Sequence, residues 1–200
     1  MPARVKAVHR QIQAEETKDR IAAEARRLFS SGGYGSTSIE AIAGAAGVAV
    51  RTIYAAFGTK REILSRICEN WLRDAGARER AEAVLADPDP ESRLVGTAAW
   101  LTRLYAVGLD VAVIFDAATD ESPETRDLLR AKLAGRDQVL DAMTATLGEV
   151  VASVPEARAV LKALATPGVY RSLVVEAGWS TDDFTAWVVG VLRRPTGSGT

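Results

Sequence analysis

The sequence predicts an all-α fold. Nearly every segment repeats its apolar residues at helical spacing, and none sustains the alternation of a strand. Capping residues stand just before apolar runs, as in T-S-I-E (Thr37–Glu40) and T-K-R-E (Thr59–Glu62). Two hundred residues, 48% hydrophobic and 26% charged, suffice for one sizeable core, or for a small and a larger one sharing a helix.

The first helix is expected from Glu15, with Ile21, Ala25, Leu28 and Phe29 on one stripe and an end at Gly32-Gly33. Thr37 opens a short second helix with Ile39, Ile42, Ala43 and Ala46 inward, stopped by Gly47. After a turn at Val48, a third helix runs from about Ala49 to Phe57 with Ile53 and Phe57 inward. Thr59–Glu62 then opens a long fourth helix carrying Ile63, Leu64, Ile67, Trp71 and Leu72.

Two short helices joined by a Gly-containing turn, with Ala43, Ala45 and Ala46 where backbones cross closely, are what a helix-turn-helix requires. The outward face of the third helix offers Val50, Arg51, Tyr54 and Ala55. Arg51 suits a bidentate grip on guanine O6 and N7, or a plain phosphate contact, and Val50 suits a thymine methyl. The segment Arg4, Lys6, His9 and Arg10 reads either as a groove-entering arm or as a solvated terminus.

Charge divides the same way. Residues 1–80 carry 14 Lys+Arg against 9 Asp+Glu, a balance of +5, whereas residues 81–200 carry 11 against 17, a balance of −6. A basic front on an acidic body suits a module facing a polyanion. One cysteine, Cys68, excludes an internal disulfide, and one histidine with one cysteine cannot make the usual zinc set, so no metal and no cofactor is expected. With no phosphate loop, no paired-histidine motif and no histidine after residue 9, the chain does not read as an enzyme. No stretch is expected to span a bilayer, and Met1–Glu16 lacks an apolar signal region, so the expectation is a cytoplasmic protein with no membrane partner.

The body starts at Pro90, after the acidic loop D-P-D-P-E (Asp87–Glu91). Leu94, Ala98, Leu101 and Tyr105 form a stripe with Trp100 and Leu104 beside it, and a separate short element carries Val111, Ile114 and Phe115. Ser122-Pro123-Glu124 starts a long helix with Leu129, Leu133, Leu140, Met143, Leu147 and Val150. Trp100, Leu104, Tyr105, Phe115 and Met143 line a ligand cavity or fill a core, with Asp116, Arg103 and Asp110 placed either to orient a polar group or to face solvent. Pro155 opens a helix with Val160, Leu161 and Leu164, which Pro167-Gly168 interrupts ahead of Val169, Tyr170, Leu173 and Val174. Thr181, with Asp182 and Asp183, caps a last helix bearing Phe184, Trp187, Val188, Val191 and Leu192. Such a terminal pair suits a two-fold four-helix interface built from Leu161, Leu164, Leu173, Phe184, Trp187, Val188 and Val191, or packing within one chain.

The run T-S-I-E-A-I-A-G-A-A-G-V-A-V-R-T-I-Y-A-A-F-G-T-K-R-E-I-L resembles the TetR family of bacterial transcriptional regulators over residues 17–67. More weakly, P-G-V-Y-R-S-L and G-W-S-T-D-D-F-T-A-W resemble it near the C-terminus. The resemblance implies a homodimer with two DNA-binding heads, a double-stranded operator, and a C-terminal domain that takes a small-molecule effector. Carried over by position, it places Thr52 and Tyr54 on the DNA backbone and Lys60 as the phosphate-contacting lysine; Thr37, Val50 and Arg51 complete the expected DNA-binding set. Two departures stand out: Ala56 where the family has His or Tyr, and Ala49 where it often has a capping Ser. The expected organisation is 1–58 arm and helix-turn-helix, 59–194 regulatory and dimerisation domain, and 195–200 tail. The expected function is a sequence-specific repressor released by its effector, the alternative being a dimeric interaction or ligand-binding protein with weakened DNA reading.

Overall fold

The structure, a computed structural model, describes residues 2–193, with side chains from residue 8 onward. The expected tail and the side chains of Arg4 and Lys6 lie outside the described residues. Among the described residues there is no strand, so the fold is all-α. They form two compact units: one runs to Trp71 and includes Val113–Leu128, and the other holds Leu72–Ala112 and the chain from Leu129.

The first unit begins with α1 (Pro2–Gly32), which starts well before Glu15. Ala, Arg, Gln, Lys and Glu dominate residues 3–27 with no internal Gly or Pro, and Pro2 is tolerated in a first turn, so the expected arm is helical. Ile21, Ala22, Ala25 and Phe29 bury one face. Helices α2 (Ile39–Ala46) and α3 (Val50–Phe57) add Ile42, Ala43, Ala46 and Ile53 to the same small core. Phe57 is only half-buried and Ala45 is exposed, so the close helix crossing rests on Ala43 and Ala46. α4 (Lys60–Asp74) contributes Ile63, Leu64 and Ile67. Arg66 ties α4 to α1, its Nε donating to Asp19 at 2.8 Å and its Nη2 reaching Glu15 at 2.9 Å. Of the apolar positions expected inward, Ile21, Ala25, Phe29, Ile42, Ala43, Ala46, Ile53, Ile63, Leu64, Ile67 and Trp71 are buried, while Leu28 and Ile39 are half-buried and Leu72 is exposed.

Of the expected caps, Thr59 opens α4 as expected, its hydroxyl accepting from the Glu62 amide at 3.2 Å, while those of α2 and of the last helix shift by one residue. Thr37 does not cap α2; Ser38 does, its hydroxyl accepting from the Ala41 amide at 3.1 Å. Thr37 is buried instead, its hydroxyl donating to the Gly33 carbonyl at 2.8 Å. At α10 (Thr181–Arg193) the cap is Ser180 rather than Thr181: Ser180 Oγ accepts from the Asp183 amide, and the Asp183 carboxylate accepts from the Ser180 amide in return.

In the second unit, Gly76 at φ 61° breaks α4 from an unexpected helix, α5 (Ala77–Ala86). The long α6 (Pro90–Ala118) then crosses from this unit into the first. The short element expected around Val111–Phe115 is the part of α6 beyond Gly108, where φ −152° and ψ 44° kink the helix. At 29 residues α6 is long and apolar enough to cross a membrane, contrary to the expectation that no stretch is. Half of its most apolar window is buried in protein, Leu94, Ala98, Leu101 and Val111 completely, as in a core helix. Gly96 lies where α5 and α6 cross, and an added Cβ there would stand 2.7 Å from Val84. α7 (Pro123–Ala145) ends earlier than expected, leaving Leu147 buried but outside it, while Leu133 is exposed. Arg93 fastens the D-P-D-P turn by donating to the Asp87 and Pro88 carbonyls and, at 3.0 Å, to Thr146 O. α8 (Val154–Leu164) is capped by Ser153, and α9 (Pro167–Tyr170) starts at the proline expected only to interrupt, running on as π-helical turns at Arg171–Glu176.

Candidate nucleic-acid interface

The axes of α2 and α3 bend by 104° across residues 47–49. The turn follows from glycine. Gly47 sits at φ 65°, its amide donating to Gly44 O at 3.3 Å while the Val48 amide donates to Ala43 O at 3.0 Å. This pair of bonds satisfies the last carbonyls of α2, and the left-handed residue between them redirects the chain.

α3 is anchored by Ile53, 1% exposed, and presents the rest of its surface outward. Arg51, Tyr54 and Ala55 are exposed, and Val50, Thr52 and Ala56 are half-buried. Ala49 occupies the N-cap and supplies no side-chain bond. The sequence-predicted residues Val50, Arg51, Thr52 and Tyr54 therefore share one eight-residue helix with solvent over it. Thr37 is a correction: its hydroxyl is spent on the Gly33 carbonyl inside the head.

Lys60, the expected phosphate contact, lies against the loop that precedes α2. Its Nζ donates to three carbonyls of the α1–α2 loop, Tyr34 at 2.8 Å, Thr37 at 3.2 Å and Gly35 at 3.4 Å, and stands 4.3 Å over the Tyr34 ring. Burial pushes the ammonium pKa down, with the Glu121 carboxylate partly offsetting it. Tyr34 is buried against Phe29, ring centroids 5.0 Å apart, and burial pushes its phenol pKa up. Its hydroxyl bonds Thr125, and Glu121 lies against Gly35, where an added Cβ would stand 2.8 Å from the carboxyl carbon. Tyr34 and Glu121 were not singled out from the sequence; the one available signal for Tyr34 was an aromatic set between glycines, G-Y-G.

The ligand-binding candidates do not share one unit. Trp100, Leu104, Tyr105 and Met143 are buried in the second, Trp100 donating its indole N–H to Ala77 O at 2.7 Å and Tyr105 stacking on Tyr170 at 5.6 Å. Phe115, half-buried, and Asp116, exposed, belong to the first. Arg103 is exposed and Asp110 half-buried. Of the dimer candidates, Leu161, Phe184 and Val188 are completely buried within one chain and are core residues, because a side chain with no exposed surface has none to give a partner. Leu164, Leu173, Trp187 and Val191 keep exposed surface. Trp187 packs on Phe184 and Trp179, ring centroids 5.9 Å and 6.1 Å away.

A steep helix pair with an anchored inner face and a solvent-facing second helix has the geometry of a helix-turn-helix, the motif that lays its second helix in the DNA major groove. Residues 21–67 match the family model described as bacterial regulatory proteins, tetR family. That match covers the second half of α1, the helix-turn-helix and the start of α4. No curated protein matches the chain. Among solved structures it is similar to a TetR/AcrR-family transcriptional regulator from Thermobifida fusca, with 26% identity over 91% of this chain and 99% of that one and a TM-score of 0.65. A putative transcriptional regulator from Saccharomonospora viridis in complex with choline is 22% identical over 90% and 97% of the two chains, TM-score 0.70. The transcriptional regulator FadR from Bacillus subtilis in complex with stearoyl-CoA is 20% identical over 86% and 96%, TM-score 0.69.

Proposed function

We propose that this chain is a homodimeric repressor that reads a two-fold operator through α3 and releases it when a small molecule binds in the helical body. In this reading residues 1–58 read DNA, residues 59–194 regulate and dimerise, and Arg51 and Tyr54 lead the contacts with Val50 and Thr52 beside them. The observation that carries it is the exposure of Arg51 and Tyr54 on a helix whose opposite face is locked by Ile53. The second unit supports the regulatory half, and the half-buried Leu164, Leu173, Trp187 and Val191 supply apolar surface for a second copy. Choline and stearoyl-CoA, bound by two structural neighbours, share no chemistry, so the reading stops at a small organic effector. Release is then a coupling free energy: the effector weakens DNA by the factor by which DNA weakens the effector.

Selecting duplexes from a random pool with the purified protein, followed by footprinting, tests this. The expected site has two related half-sites whose centres lie about 34–36 Å apart or a multiple of that. Protection of a single unrepeated half-site overturns the dimeric reading.

A further inference from the structure

The first unit brings an acidic turn against the cations that open α4. α6 ends at Ala118 and α7 begins at Pro123, and the turn between them belongs with the head. Glu121 in this turn sets its carboxyl against Gly35, where an added Cβ would stand 2.8 Å from the carboxyl carbon. The Gly35 carbonyl also accepts from Lys60 Nζ at 3.4 Å, so carboxylate and ammonium meet at one residue. Burial lowers the Lys60 pKa and the Glu121 charge raises it, so the two charges interact. Further along, the Glu124 carboxyl is held below the usual range by its own amide and the Ser122 hydroxyl, with the Arg61 charge adding to them. The turn is fixed in place: the Tyr34 hydroxyl bonds Thr125, and Ser122 caps α7 by accepting from the Thr125 amide at 3.1 Å. An ionised carboxylate offers a lysine the same kind of anionic acceptor that a phosphate does.

We propose that Glu121 competes with the DNA backbone for Lys60: a carboxylate of the chain itself stands beside the cation that an operator phosphate takes, and so restrains DNA binding. This rests on the DNA-reading function proposed above, with Lys60 as a phosphate contact. An ammonium has three donors, and to take a phosphate Lys60 turns at least one of them from the loop carbonyls toward DNA. Glu121 opposes that turn in two ways, attracting the ammonium back toward Gly35 and repelling the incoming phosphate. Glu121 follows the end of α6 by three residues, so the restraint is carried on a helix that starts in the second unit.

Competition is separated from plain repulsion by a neighbouring acid and by removing the cation. Glu121→Gln removes the charge and keeps the side-chain shape; Asp120→Asn removes an equal charge from the next residue, whose side chain is 96% exposed and pairs with Arg126. Each is titrated against the selected duplex, alone and combined with Lys60→Met, with circular dichroism confirming folded protein. For competition, Glu121→Gln gains about threefold to tenfold in affinity, one ion attraction being released in each of two heads. Asp120→Asn gains less than about twofold, as a solvated charge screened by salt. Combined with Lys60→Met, Glu121→Gln gains no more than Asp120→Asn does, because the cation it holds is gone. Equal gains from Glu121→Gln and Asp120→Asn overturn the proposal, since DNA would then be repelled by any acid nearby. A Glu121→Gln gain that survives Lys60→Met in full overturns it too, as does an unchanged affinity in Glu121→Gln. Unchanged affinity in Lys60→Met alone does the same, because Lys60 would then hold no phosphate. If Lys60→Met does not fold, Lys60→Gln, neutral but still a donor to a loop carbonyl, takes its place. A wild-type protein that selects no duplex overturns the regulatory reading and this role with it.

Discussion

Trp100 donates its indole N–H to the backbone carbonyl of Ala77 at 2.7 Å, both residues being buried. The bond pins the start of α5 to the middle of α6 in the second unit. Trp100→Phe keeps most of the ring and removes the donor, leaving the Ala77 carbonyl unpaired in a buried site. The variant is expected to lose about 1–3 kcal/mol of unfolding free energy in urea, with the denaturant slope unchanged. An unchanged midpoint would mean another donor replaces the indole.

Arg51 is exposed on the outward face of α3. Arg51→Ala is expected to relax the preference for one base pair in each half-site, at about 1–3 kcal/mol per lost bidentate contact. Repeating the duplex selection with the variant reads this directly. Equal weakening on every sequence would assign Arg51 to phosphate.

Ala49 leaves the N-terminus of α3 without a side-chain cap. Ala49→Ser supplies the missing acceptor for an amide of the first turn and is expected to stabilise α3 by about 1 kcal/mol. Slower hydrogen exchange at the α3 amides, with the rest of the chain unaffected, is the measurement.

Phe184 and Trp187 sit on the same helix but differ in exposure, Phe184 at 0% and Trp187 half-buried. Phe184→Ala is expected to cost the single chain about 3–5 kcal/mol by opening a cavity. Trp187→Ala is expected to leave a folded chain whose self-association is weaker by about 2 kcal/mol, roughly thirtyfold. Sedimentation and urea unfolding on both variants separate the effects. A tight dimer retained by Trp187→Ala would return that ring to the subunit core.

The Ser180–Asp183 box at the start of α10 makes stability depend on pH. Hydrogen bonds from the Ser180 hydroxyl and amide hold the Asp183 carboxyl below the usual aspartate range. Because the folded value is lowered, the contribution is present above the unfolded aspartate pKa of about 3.9 and is lost as pH falls through the folded value. Ser180→Ala is expected to cost about 1 kcal/mol near neutral pH. It should also flatten the fall in melting temperature below about pH 4, where aspartate titrates.

The head was legible because its information is local. Ile42, Ala43, Ala46 and Ile53 carry the apolar stripe of two short helices, and Gly47 is the residue that a left-handed turn between them requires. The glycine turn, the absent cap at Ala49 and the outward face of α3 all follow from the single short stretch of residues 47–55. The sequence by itself therefore determined the helical class and the helix-turn-helix with Arg51 and Tyr54 on its free side. What it could not decide depends on residues far apart in the chain. Lys60 looks like a surface cation until the α1–α2 loop, 23 to 26 residues earlier, turns three carbonyls toward it. Phe184 and Trp187 belong to one apolar stripe in sequence, and only packing separates the side chain with no surface left from the one that keeps some. Helical period tells which face is apolar, but tertiary structure decides what covers it, because burial and the competition for a donor's protons are settled by whichever group arrives in space.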